Sequence, residues 1–149
     1  MPVMGVVKFE RFFRAAAGLH VDRCDLKRFD DFVQRVVEDM VLIAQERAHA
    51  SGRDVIEVAD LPVTRGLRES IRAFQRMEEA PELMPVLERL APHPQLDLAL
   101  SVETEERLPL MVGGLGVALA RTFRIVEPHK RNPATAEWER AFRIFDLLL

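Results

Sequence analysis

The stretch 25–52 contains no proline and no glycine before Gly52, and its apolar residues recur three and four apart. Phe29, Phe32, Val33, Val36, Val37, Met40, Val41, Ala44 and Ala48 form one stripe, the period of a single helix face. At 1.5 Å per residue such a helix is roughly 40 Å long. A rod of that length is not held by propensity alone; packing along its apolar face must stabilise it. A second long apolar-periodic stretch, 108–126, begins somewhere between Ser101 and Leu108 and offers the matching surface within the same chain.

Short helical patterns flank both rods. Residues 8–17 place Phe9, Phe12, Phe13 and Ala16 on one side and Lys8, Arg11 and Arg14 on the other, with Gly18 as terminator. Asp22 or Asp25 caps the first rod, and Gly52 closes it. Residues 53–58 are a β-branched run too short for a free-standing strand. Asp60 is expected to cap a third helix, with Pro62 in its first turn and Leu67, Ile71 and Phe74 on its buried face. That helix is expected to run towards Glu79 and to be broken by Pro81. Residues 82–90 form a further short helix. A loop at 92–95 precedes the second rod, and a loop at 129–133 follows it. A last helix, 134–149, carries Trp138, Ala141, Phe142, Phe145 and Leu149 on one side. The order short, long, short thus occurs twice. The expectation is an all-α chain with halves 1–78 and 79–149 that share one core as a single structural domain; the repeat is one of pattern, not of letters.

The segment 48–61, Ala-His-Ala-Ser-Gly-Arg-Asp-Val-Ile-Glu-Val-Ala-Asp-Leu, resembles the end of the central helix in histone folds. There a Gly-Arg pair closes that helix, and an Asp seven residues after the Arg pairs with it. Arg53 and Asp60 stand at those positions. The first half therefore resembles archaeal histones, and the whole chain is similar to the bacterial single-chain histone-fold doublets. The resemblance implies two tandem histone folds paired as an intrachain pseudodimer. In the second half Lys130 or Arg131 takes the place of the loop arginine, but Trp138 stands where the Asp belongs; Lys130 and Glu137, also seven apart, are the substitute pair.

A histone dimer touches DNA at its two loop-pair ends and at the paired short helices between them. Transferred to this chain, one end gathers His20, Arg23, His129, Lys130 and Arg131. The other gathers Arg53, Asp54, Glu57, His93 and Asp97, and the middle sets Lys8, Arg11 and Arg14 against Glu82, Glu88 and Arg89. The candidate phosphate-binding residues are Lys8, Arg11, Arg14, Arg23, Lys130 and Arg131. The net charge of −3 opposes a polycation that coats nucleic acid. Residues 1–78 carry 13 basic and 13 acidic residues, and 79–149 carry 8 and 11, so a DNA site must be a local patch. The expected function is weak, sequence-independent binding of double-stranded DNA; the alternative is a scaffold for a protein partner.

Other chemistry finds little support. Gly113-Gly114-Leu115-Gly116 lacks the Lys-Ser or Lys-Thr of a phosphate loop and lies within a helical pattern. Glycine there disfavours a helix by roughly 1 kcal/mol each, so Gly113, Gly114 and Gly116 are assigned to a close crossing of the two long helices. The four histidines share no metal-ligand spacing, and Cys24 is the only cysteine. No catalytic constellation, metal site or cofactor is expected. There are no eighteen consecutive apolar residues and no signal-peptide pattern at the start, so no membrane association is expected and a cytoplasmic location is the default.

Overall fold

The first rod folds as α2 (Arg23–Ala50). It begins two residues before the expected stretch 25–52 because Asp22 and Asp25 cap it reciprocally. The Asp22 carboxylate accepts the Asp25 N–H at 2.9 Å, and the Asp25 carboxylate accepts the Asp22 N–H at 3.0 Å. At the far end Gly52 takes φ +71°, which lets the Arg53 N–H turn back to the Ala48 carbonyl at 3.0 Å. Gly18, with φ +66°, closes α1 (Val3–Ala17) in the same way, with the Leu19 N–H reaching the Phe13 carbonyl. The computed structural model describes residues 3–91 and 94–149, with side chains from Gly5 onward. The expectations placed on Met1, Pro2, Pro92 and His93 lie outside them.

The remaining helices are α3 (Arg65–Arg76), α4 (Ala80–Leu90), α5 (Val102–Val126) and α6 (Thr135–Leu148). The protein is all-α, with the order short, long, short occurring twice. Ser101 caps α5, its hydroxyl accepting the Thr104 N–H at 3.2 Å.

The third helix departs from expectation. Asp60 does not cap it. Val58–Asp60 is a 3₁₀ turn, residues 61–64 run non-helically, and Thr64 caps α3 by accepting the Leu67 N–H at 3.2 Å. Pro62 explains the delay: it disfavours the helical region for the residue before it, and Leu61 sits at φ −66°, ψ 130°. The helix also ends early, at Arg76, where Met77 turns extended. Pro81 then lies in the first turn of α4, where its missing N–H costs nothing.

Two loop contacts join the halves. β1 (Val55–Ile56), just after α2, pairs in parallel with β2 (Ala99–Leu100), just before α5. The Ile56 carbonyl also accepts the Ser101 N–H at 3.1 Å and the Thr104 hydroxyl at 2.9 Å. At the opposite end the α1–α2 loop meets the α5–α6 loop, with the His20 N–H donating to the Arg131 carbonyl at 2.7 Å. Each half thus sets its first loop beside the other's second.

Buried side chains from both halves make one continuous core. α6 lies against α2 through rings: Phe32 stacks on Phe142 at 4.5 Å and meets Phe145 at 5.5 Å. Trp138 is fully buried between Phe123 and Phe13. α3 lies against α5 by a different device. A Cβ on Gly114 would stand 2.5 Å from Ile71 Cγ1 and 3.1 Å from the Ile71 backbone nitrogen, and one on Gly113 would stand 2.6 Å from the Phe74 ring. These two glycines therefore admit α3 and not, as expected, the other long helix. A Cβ on Gly116 would meet Phe12 of α1 at 2.7 Å and Phe29 of α2 at 3.3 Å. The physical reason is that α3, not α2, packs closest along the middle of α5. By length and composition α5 passes for a membrane-crossing helix, yet most of its apolar surface faces the core.

Candidate nucleic-acid interface

The loop ends are pinned by two ion pairs, each seven residues apart. Arg53 Nη2 lies 2.5 Å from Asp60 Oδ1, and Nη1 lies 2.7 Å from Oδ2, a bidentate pair in which the carboxylate is buried. Asp60 also accepts the Glu57 N–H at 2.8 Å. These contacts, led by the guanidinium, hold the Asp60 carboxyl at a pKa of about 2 against the opposing effect of burial. In the second half Lys130 pairs with the buried Glu137 and lowers its pKa in the same sense. The substitute pair read from spacing is therefore formed, and Trp138, the next residue, fills the core instead of joining the lock.

The cost falls on the candidate cations. Lys130 is tied to Glu137, and Arg11 lies 3.1 Å from Glu82 of α4. Lys8 is half-buried. Arg14, Arg23 and Arg131 are exposed, and among the described residues they form no ion pair. Arg131 folds back over the first loop, its Nη1 3.4 Å from the Cβ position of Gly18. His20 and His129 are exposed in the same two loops. Beside them lies a groove of about 600 Å³ whose wall includes His20, Asp25, Arg28 and Thr135. Arg28 bridges its sides, donating to Asp25 at 2.9 Å and to the Thr135 hydroxyl at 2.8 Å. Burial raises the Asp25 carboxyl, although the Asp22 N–H and Arg28 act the other way.

In the opposite loop pair Asp54, Glu57 and Asp97 are exposed, while Arg53 is committed to Asp60. The two loop pairs are thus electrostatically unlike. Among the described residues no cluster of His, Cys, Asp and Glu fit to hold a metal is present, and Cys24 is exposed at the start of α2.

A further basic feature escaped the sequence reading, which followed only the buried face of α3. Arg65, Arg68, Arg72 and Arg76 are all exposed, spaced three, four and four residues apart. At helical rise this is a ridge of roughly 16 Å. The signal was present in the sequence as the polar counterpart of Leu67, Ile71 and Phe74.

The family described as DUF1931, a domain of unknown function, matches residues 9–146. The chain belongs to this family. An uncharacterised protein of Aquifex aeolicus (strain VF5) is 26% identical over 142 residues, 95% of this chain and 82% of that protein. A crystal structure of a Thermus thermophilus protein is similar at a TM-score of 0.87 with 46% identity, covering 97% of each chain. A crystal structure from Aquifex aeolicus, at 24% identity, has the same fold, with a TM-score of 0.85 over 97% of this chain and 95% of that one. The loop locks and the unequal ends described above are thus features of a DUF1931 chain that is matched over nearly its whole length.

Proposed function

We propose that this DUF1931 protein is a single-chain histone-fold pseudodimer that binds double-stranded DNA weakly and without sequence preference, through one end only. The observation that carries the reading is the reciprocal loop pairing: β1 with β2 at one end, His20 with Arg131 at the other. A crossed pair of such halves presents its loop ends to a duplex backbone. The two locks seven residues apart, Arg53–Asp60 and Lys130–Glu137, support the same assignment. Phosphate contacts come from Arg14, Arg23 and Arg131, helped by the exposed backbone and histidines of the paired loops. Lys130 and Arg11 are structural in this reading, because each already holds a carboxylate. With three phosphates neutralised, log K falls against log salt with a slope of roughly −2 to −3.

The test is DNA retention across a salt series for the parent and for Arg23→Glu/Arg131→Glu. Lys130 is left unchanged, since reversing it would set two carboxylates against each other at a buried site. Parent binding with the stated slope, lost in the double variant, is the expected result. Equal retention by both refutes the reading. A protein-interaction scaffold is the second reading, and the neutralisation of Arg11 by Glu82 and of Lys130 by Glu137 favours it. A stable co-purifying protein, with no DNA retained at about 100 mM salt, where screening is still moderate, would establish that reading instead.

A further inference from the structure

Beside the non-helical passage that delays α3 lies a cleft. It measures about 500 Å³ and is lined by the 3₁₀ turn, Leu61 and Val63, α3 and α5, within the range of small-molecule sites. Its floor is apolar and belongs to the core: Leu61, Ile71 and Met111 line it, each at least nine-tenths buried. Its rim is cationic. Arg68 and Arg72 come from the α3 ridge, Arg107 from α5, and Gln75 completes it. Arg72 is held by Glu69 at 2.8 Å. Arg68 and Arg107 are exposed, and among the described residues they make no ion pair.

An apolar floor beneath unpaired guanidinium groups discriminates by chemistry. A neutral apolar molecule leaves the arginines idle, and a bare anion leaves the floor wet. We propose that this cleft binds a small amphiphilic anion: a carboxylate or phosphate group held by Arg68 and Arg107, on an apolar body laid against Ile71 and Met111. Arg forks match the planar carboxylate and the phosphate oxygens bidentately. The cleft lies on α3 and α5, away from the paired loops proposed to meet DNA, so the two sites fail or succeed independently.

The experiment titrates the full chain, labelled at methionine methyl groups, with decanoate, decyl phosphate, decanol and inorganic phosphate, all below micelle-forming concentrations. The expected result is saturable one-site binding of decanoate or decyl phosphate that shifts the Met111 methyl resonance, with the tighter of the two naming the headgroup. Arg68→Gln and Arg107→Gln, on different helices and at exposed positions, should each weaken it about tenfold, the loss of one charged hydrogen bond. Decanol or inorganic phosphate binding as tightly as the amphiphiles would overturn the proposal, as would absence of saturable binding. Full affinity in both arginine variants would do the same. If Arg68→Gln abolished DNA retention while no amphiphile bound, the ridge would belong to a nucleic-acid surface and the cleft proposal would fall.

Discussion

Adding one methyl group at Gly114 should destabilise the protein, although alanine is the better helix former. Gly114 lies inside α5, where Gly→Ala ordinarily favours the helix by about 1 kcal/mol. Here the added Cβ would stand 2.5 Å from Ile71 Cγ1, 3.1 Å from the Ile71 nitrogen and 3.2 Å from its Cα. The first contact can relax by rotation of the side chain. The other two are backbone, so α3 as a whole must move outward, away from a core that includes Phe74. Overpacking of this kind costs about 1–3 kcal/mol. The upper part of that range applies because a helix, not a side chain, must give way. Subtracting the propensity gain leaves a net loss of about 1–2 kcal/mol, or a Tm lower by about 2–8 °C for a chain of this size. Gly66 is the control. It is exposed on α3, and a Cβ there would meet nothing within 4 Å, so Gly66→Ala should raise stability by about 0.5–1 kcal/mol. Thermal and urea unfolding followed by circular dichroism measure both variants. If Gly114→Ala stabilises as Gly66→Ala does, the close seating of α3 on α5 is wrong.

Three other predictions concern the locks and the core. Asp60→Asn should cost about 1–3 kcal/mol near neutral pH, since it removes the charge from a buried, bidentate pair. The pH dependence has a definite sign. The folded carboxyl sits at about 2, below its ordinary 3.8, so its contribution is present above 3.8 and is lost as pH falls towards 2. Urea unfolding at pH 5.5 and at pH near 2.5 should show the parent's advantage over Asp60→Asn shrinking; a constant advantage would refute the assignment. Burial shifts Asp25 and Asp30 the other way, and the comparison with Asp60→Asn cancels them. Lys130→Ala should lower the unfolding free energy and leave the salt slope of DNA binding unchanged, whereas Arg131→Ala should leave stability unchanged and flatten that slope by about 1; the reverse pattern would exchange their roles. Phe32→Ala should cost about 3–5 kcal/mol and increase hydrogen exchange first in α6, whose Phe142 and Phe145 rest on that ring; uniform exchange across all helices would contradict the packing.

Local chemistry made most of the helical architecture readable. Asp22 and Asp25, Gly18 and Gly52 act on their own neighbours, through caps and left-handed turns, so the ends of α2 and the close of α1 follow from the letters. The spacing of seven between Lys130 and Glu137 was legible for the same reason, being a contact within one loop and the helix after it. Pro62 was misread because its effect falls on the residue before it. It removed Leu61 from the helix and shifted the start of α3 to Arg65. The ridge Arg65, Arg68, Arg72 and Arg76 was visible in principle, as the polar face of a helix whose apolar face had been followed.

Partners across the fold were a different matter. The sequence by itself determined that six helices form in a repeated short, long, short order, because periodicity and capping are properties of neighbouring residues. It determined too that Gly113, Gly114 and Gly116 required a close neighbour. Only the tertiary structure decided which neighbour: Ile71 and Phe74 of α3 for the first two, and Phe12 and Phe29 for the third. It alone decided that Glu82 occupies Arg11 and that Glu137 occupies Lys130, leaving Arg14, Arg23 and Arg131 as the candidate cations that are exposed and, among the described residues, make no ion pair. The reason is physical: a helical period specifies which face is buried, while the identity of what covers that face, or neutralises a charge upon it, depends on residues far away in the chain.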